Sequence, residues 1–389
     1  MSFMMYAPTL VLFGNKQLDN LHKQMLPGKK ALIVISSGKS VRENGYLSRL
    51  EGELQQAGKE YVVFDKIKQN PDKNQIMEGA KCARDNSCDF IVALGGGSCI
   101  DASKAISLMS TNEGDIWDYV TTGTGGGKAV KNKPLPIVAI TTTAGTGSEA
   151  DCGGVVTNPE TNEKTGVVNI QLFPAISIVD PELMKSVPPR YTAYQGFDAF
   201  FHSVEGYISK RANKMSDMVG INAIENVARF LPRAVADGND MEARENVAFG
   251  SYLSGIEMCV GSTSSQHSLE HAMSAYHSDL PHGAGLIMLS KEFFSHFIEA
   301  HVCDDRFIRM AKAMGKEDAS RAEDFIEMLE KLQQECGVND LKMSDYGITP
   351  DEFPKMAKNA RETMPSQFLC DRKPLTDEDI ISIYQKSYK

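Results

Sequence analysis

Eight histidines occur in the chain, and four of them, His267, His271, His277 and His282, fall within one short stretch. Further upstream, Asp198 and His202 stand four residues apart in GFDAFFHSVEGYIS, so on a helix they share a face and can grip one ion. His267 and His271 repeat that spacing in SSQHSLEHAMSAYH, and His282 follows in LPHGAG, where Pro281 and Gly283 mark a turn able to bring its imidazole back toward the preceding helix. One carboxylate with imidazoles and no thiolate suits divalent iron or zinc and leaves room for an exchangeable ligand. Asp198, His202, His267 and His282 are therefore the expected metal ligands. His271 is then one imidazole too many for a tetrahedral ion, and its ordinary pKa near neutrality makes it the candidate catalytic proton carrier. His22, His277, His296 and His301 have no evident partner in the sequence and read as ordinary core or surface residues.

A second group of residues is built to receive phosphate. The stretch FIVALGGGSCIDASKAIS runs from a buried-strand pattern through Gly95, Gly96 and Gly97 into Ser98 and a helical pattern. Glycines let backbone approach a ligand closely, Ser98 is placed to cap the helix, and the helix N-terminus attracts a pyrophosphate. Asp101, three residues beyond Ser98, either joins this site or completes a capping box. The strand pattern PIVAI ends in TTTAGTGSE, where the hydroxyls of Thr141, Thr142 and Thr146 can hold ribose, phosphate or carboxamide oxygens at the same sheet edge. The glycine-dense TTGTGGGK at 121–128 lacks the Ser or Thr after its lysine that a magnesium-dependent phosphate loop needs, and reads as a surface loop.

The elements that must position these residues divide in two. Up to about residue 185, short apolar runs (ALIVIS, YVVF, FIVALG, PIVAIT, ISIVD) alternate with helical patterns, the mark of a parallel α/β sheet buried on both faces. The segment VPPRYT at 187–192 breaks the rhythm, and beyond it the patterns are helical. We expect an N-terminal Rossmann-like α/β dinucleotide-binding domain over residues 1–186, an all-helical metal-binding domain over 187–389, and the active site in the cleft between them.

Composition narrows the function classes. A net charge of −10 with no Lys/Arg run argues against nucleic acid. The opening MSFMMYAPTLVLFG lacks a basic leader region, and no apolar run is long enough to span a membrane, so a cytoplasmic protein is expected. The eight cysteines form no CxxC pair and read as reduced thiols. TLVLFG could pair as an edge strand with another copy, which points to a homodimer or higher homo-oligomer.

Taken in order, YAPTLVLFG, GGGSCIDASKAI, ITTTAGTGSEA, VDPELMKSVPPRYTAYQGFDAFFHSVEGYIS, HSLEHAMSAYHSDLPHGAGL and DRKPLTDEDI make the chain similar to the iron-containing (group III) alcohol dehydrogenases. That resemblance implies hydride transfer between NAD(P) and a small primary alcohol or diol and its aldehyde. It also implies iron(2+), or zinc, on Asp198, His202, His267 and His282, His271 beside the nicotinamide, and cofactor contacts from Gly95, Gly96, Gly97, Ser98, Thr141, Thr142, Thr146 and Lys164. The sequence departs from the family in three places. The gap from His267 to His282 is one residue longer than in its lactaldehyde reductase members, so the loop at 276–280, including His277, is expected to reshape the substrate pocket. Cys152 stands where relatives often have Asn. The first core strand ends in Ser36, Ser37, Gly38 and Lys39 rather than in an acid, and small hydroxyls with a lysine favour the 2′-phosphate of NADP over NAD. Two alternatives stand beside this reading: polyol oxidation on the same fold, as in glycerol dehydrogenases, and an inverted zinc peptidase, since His267-Ser-Leu-Glu270-His271 matches HxxEH.

Overall fold

The computed structural model describes residues 2–389 and divides into two compact units. One comprises Ala7–Thr143 and Gly147–Ser186; the other comprises Val187–Lys389 together with residues 2–6 and Ala144–Thr146.

The first unit is built on a six-stranded, wholly parallel sheet in the order β1-β8-β5-β4-β2-β3. Its strands are β1 (Leu10–Phe13), β2 (Lys30–Ser36), β3 (Glu60–Ile67), β4 (Phe90–Gly95), β5 (Ile137–Thr141) and β8 (Ile176–Val179). The helices of this unit are α1 (Ser40–Glu43), α2 (Tyr46–Gln56), α3 (Lys73–Asp85) and α4 (Gly97–Thr111). The central strands are apolar at nearly every position because both faces are covered. Leu32 and Val34 of β2 join a core with Ile76 and Ala80 of α3 and Ile106 of α4, while Ala31, Ile33 and Ile35 turn to the opposite core with Leu47, Leu50 and Leu54 of α2. Each buried Leu, Ile or Val among them contributes about 1.5–3 kcal/mol by leaving water.

Between β5 and β8 the chain forms an antiparallel hairpin of β6 (Gly153–Asn158) and β7 (Glu163–Val168) instead of another strand and helix. It packs on α4, and Gly154 is required there because a Cβ would lie 2.9 Å from the Asp101 carbonyl oxygen. The loop at 121–128 folds back on itself: Gly125, Gly126 and Gly127 lie against the Asp118 and Val120 backbone, and Lys128 donates to the Glu113 carbonyl and sits over the Tyr119 ring.

The second unit is helical. Its long members are α5 (Pro189–Ile208), α6 (Lys214–Ala236), α7 (Met241–Val260), α8 (Ser265–Tyr276) and α9 (His282–Glu299), followed by α10 (Asp304–Ala313), α11 (Asp324–Glu335), α12 (Phe353–Thr363), α13 (Pro365–Phe368) and α14 (Asp377–Ser387). Pro189 opens α5 at a position whose N–H has no intrahelical acceptor. Asn213 and Thr376 begin α6 and α14 with reciprocal capping boxes. One face of α5 is aromatic: Phe197, Phe200 and Phe201 are fully buried and meet Phe294 of α9 and Phe325 of α11 at ring separations of 5.9 Å (Phe201 to Phe294) and 6.4 Å (Phe200 to Phe325). No helix among the described residues is long and apolar enough to cross a membrane, and all eight cysteines are free thiols.

Candidate metal centre and phosphate edge

The aromatic face of α5 fixes where its polar face points. Asp198, His202 and Glu205 fall at i, i+4 and i+7, all buried, and look toward α8 and α9. From Asp198 Oδ1, the distances are 3.6 Å to His267 Nε2 on α8, 3.5 Å to His282 Nε2 at the first residue of α9, and 3.4 Å to His202 Nδ1. These are close to the edges of a tetrahedron drawn around an ion with bonds of about 2.0–2.2 Å, roughly 3.3–3.6 Å. Asp198, His267 and His282 form one mutually close set of donor atoms. His202 lies beside the set rather than within it, its ring stacked on His267 at 4.2 Å.

Two observations test whether these residues fit a cation. Asp198 Oδ1, His202 Nδ1 and His267 Nε2 are buried and make no hydrogen bond within the protein, an expensive state for three polar atoms unless something else satisfies them together. The outer nitrogens, by contrast, are held: His267 Nδ1 bonds Glu205, and His282 Nδ1 bonds Glu270, both carboxylates fully buried. Glu205 also accepts from Ser264 Oγ at 3.0 Å. A carboxylate behind an imidazole fixes the tautomer and aims the other nitrogen inward, the usual arrangement behind a metal-binding histidine.

The electrostatics agree. Burial opposes charge on Asp198, but the imidazoles of His202, His282 and His267 outweigh it and hold the carboxyl well below 3.8. Burial likewise opposes charge on His267, yet Glu205 and Asp198 lift its pKa to about 10, while burial and the neighbouring His267 push His202 down to about 3. The pocket thus calls for positive charge at its centre, and the donor set fits a divalent iron or zinc ion.

Position is tightened by glycine. A Cβ on Gly283 would lie 2.1 Å from the Tyr194 carbonyl oxygen, and one on Gly285 2.7 Å from Glu270 Cγ, so the start of α9 is pressed against α5 and α8. His271, 5% exposed, sits one turn beyond His267, its ring 5.2 Å from that of His282 and outside the Asp198 set. With Glu270 bonded to His282, the HxxEH pattern is not arranged as a zinc pair with a free carboxylate base. Three of the four remaining histidines do have partners that sequence reading missed: His22 with Glu53, His277 with Glu352 and His301 with Asp304.

In the sheet unit, the residues expected at the cofactor lie at the carboxyl ends of three adjacent strands. Ser36 ends β2, with Gly38 and Lys39 beyond it; Gly95 ends β4, with Gly96, Gly97 and Ser98 beyond it; and Thr141 ends β5, with Thr142 next. The chain reverses direction across the sheet between β2 and β4, the place where open α/β sheets collect ligands. The β4 and β5 loops touch: Thr142 N–H donates to the Gly95 carbonyl at 3.0 Å, and a Cβ on Gly96 would meet Thr143 Cγ2 at 2.8 Å. The helix begins one residue before the expected cap. Gly96 is the N-cap of α4, no side chain caps it, and Ser98 is already helical.

Asp101 faces the protein, accepting from Ser148 Oγ at 2.6 Å and Val155 N–H at 3.0 Å, and burial raises its pKa to about 6. Lys164 is buried on β7 opposite Thr157. Thr146 belongs with the helical unit, where a Cβ on its neighbour Gly145 would lie 2.9 Å from the Gln195 carbonyl oxygen. Sequence reading overlooked Lys104, whose wholly buried ammonium shares its three N–H groups among the Ser148 carbonyl, Ser148 Oγ, Asp151 Oδ1 and the Gly153 carbonyl, all at 2.6–2.8 Å.

The family models agree with this architecture. Residues 8–181 match the model for iron-containing alcohol dehydrogenase, and residues 192–388 match that for the C-terminal domain of the Fe-containing alcohol dehydrogenase family. The chain is 33% identical to 1,3-propanediol dehydrogenase of Klebsiella pneumoniae, with all of both chains covered. It is 31% identical to NAD-dependent methanol dehydrogenase of Bacillus methanolicus, covering 96% of this chain and 95% of that one. The crystal structure of an archaeal halo-thermophilic alcohol dehydrogenase from a Red Sea brine pool superposes with a TM-score of 0.94 at 32% identity, covering 100% and 99% of the two chains. With both halves matched in order, the chain belongs to the iron-containing alcohol dehydrogenase family.

Proposed function

We propose that this protein transfers a hydride between NAD(P) and a small primary alcohol or diol and its aldehyde, using a divalent cation held by Asp198, His267 and His282 with His202 as the fourth ligand. The observation that carries the reading is the set of inward-facing donor atoms 3.4–3.6 Å around Asp198 Oδ1, two of which, like Oδ1 itself, make no hydrogen bond. When bound, the cation acts as a Lewis acid toward the substrate oxygen and the nicotinamide as hydride acceptor or donor. The chain's own residues do the rest. Glu205 and Glu270 keep the two imidazoles aimed inward. His271 takes the proton lost by the alcohol and passes it to solvent, and returns one in the aldehyde direction. The three loops at the ends of β2, β4 and β5 hold the dinucleotide, its pyrophosphate on the uncapped N-terminus of α4.

The names of the relatives support a short substrate: one acts on 1,3-propanediol, another on methanol. For the 2′ position the supports diverge, since the Bacillus methanolicus relative is named NAD-dependent, whereas the β2 end here carries Ser36, Gly38 and Lys39 and no carboxylate. We take NADP as the preferred cofactor on the chain's own residues. The exposed edge strand β1, with Leu10 half exposed, is the surface we assign to pairing with a second copy.

The test is a spectrophotometric screen of short primary alcohols and diols with NAD and NADP, using protein stripped of metal and then reloaded with ferrous iron or zinc. Nicotinamide reduction should need the metal and one of these alcohols. Full turnover by the metal-free protein, or by His267→Ala, would overturn the reading.

A further inference from the structure

Glu270 and His271, the half of HxxEH that the proposed reaction leaves partly unused, belong to a second arrangement. Glu270, His271 and His282 each offer a donor atom within 4.8 Å of the others, a set as close as the one around Asp198. The two sets share His282, whose Nε2 faces Asp198 and whose Nδ1 meets the Glu270 carboxylate. Glu270 is fully buried and His271 nearly so, whereas the His282 side chain is 22% exposed, which leaves one approach open. One carboxylate and two imidazoles match the preference of zinc, a cation that binds strongly to nitrogen and oxygen together.

We propose that Glu270, His271 and His282 Nδ1 form a second divalent-cation site, adjoining the first, that zinc fills when in excess. This rests on the metal-centre reading in sharing His282 and, for the inhibition alone, on the proton-carrying role of His271. Zinc there replaces the proton between His282 Nδ1 and Glu270. With both sites filled, that proton goes to solvent, and His282 carries one cation on each ring nitrogen. A nitrogen of His271 becomes a ligand and can no longer accept a proton, so the second cation inhibits.

The experiment is a zinc titration of the metal-free full chain, read as bound zinc per chain by equilibrium dialysis. Wild type should bind two equivalents, and His271→Ala one. His271→Phe, which fills the space without a donor atom, guards against a folding defect in the alanine variant, and thermal melts of the metal-free proteins check both. Asp198→Asn should also bind one equivalent, which disappears when His271→Ala is added. A single equivalent in both wild type and His271→Ala would overturn the second site and leave the first standing. A single equivalent lost in His271→Ala but kept in Asp198→Asn would place the ion wholly on the second set and overturn the first reading instead.

Discussion

Glu205 stands one step behind the proposed metal centre. Its carboxylate holds His267 Nδ1 from behind, so Glu205→Gln keeps the shape but weakens the grip on the ring's tautomer and charge. Metal affinity should fall about 10–100-fold, measured by competition with a chelator; an unchanged affinity would show that Asp198 and the imidazoles hold the ion unaided. His271→Ala should leave the ion on Asp198 in place while turnover falls about 100-fold or more, read from rates with metal content measured in parallel. The convergence of Asp198, His202, His267 and His282 was legible in the sequence because histidine is scarce and the i, i+4 spacing puts two donors on one helix face. Glu205 and Glu270 were not, since a helix carries many acids and only packing distinguishes a buried carboxylate behind an imidazole from one in water. Glu205 did leave a trace, lying seven residues after Asp198 and so on the same face.

At the scale of elements, α9 owes its placement to glycines at its first turn. Gly283→Ala should gain helix propensity of up to about 1 kcal/mol and lose more, because the methyl group meets a carbonyl oxygen of α5 that cannot turn aside. A net loss of about 1–3 kcal/mol, together with weaker metal binding through a displaced His282, should appear as a lower Tm and a higher metal Kd; a rise in both stability and affinity would count against this packing. At the end of β2, Lys39→Glu places an acid where a 2′-phosphate is expected and should shift the ratio of kcat/KM for NADP over NAD downward by 10-fold or more. No change in that ratio would remove Lys39 from the cofactor edge. The five apolar runs read as strands are strands, because an apolar run covered on both faces is a strong signal. The β6–β7 hairpin went unseen. GGVVTN and EKTGVV mix glycine, threonine and charge with short apolar pairs, and they are ordered by packing on α4 more than by their own pattern. Ser98 as a cap failed for a related reason: the tight approach of Gly96 to Thr143 starts the helix earlier than the hydroxyl alone suggests.

Across the whole molecule, several acids are buried without full compensation. Burial raises Glu149 and Asp371 to about 7 and Asp101 to about 6, so the folded chain keeps protons that the unfolded chain releases near pH 4. These groups therefore contribute stability that is fully present below about pH 4 and is lost as pH rises through 6–7. Glu352 acts in the opposite sense: burial alone would raise it, but Lys355, the Thr349 N–H and His277 hold it at about 2, so its contribution is present above about pH 4.5 and lost toward pH 2. Asp371→Asn, which mimics the protonated acid, should flatten the decline of Tm between pH 5 and 7.5 measured by calorimetry on metal-loaded protein; an identical slope would assign the decline elsewhere. The division of the chain near VPPRYT was readable because strand patterns stop there. The assignment of residues 2–6 and Ala144–Thr146 to the helical unit was not, since nothing local in those few residues names the surface they pack on.

Lys104 ties the second turn of α4 to the backbone at Ser148 and Gly153, while the first turn of the same helix forms the glycine cradle after β4. A helix tied at its second turn cannot let the loop at its start swing while the hairpin segment stays still. A nucleotide bound at this edge, as proposed, would therefore meet a surface already set in shape, with little of its binding energy spent on freezing loose chain.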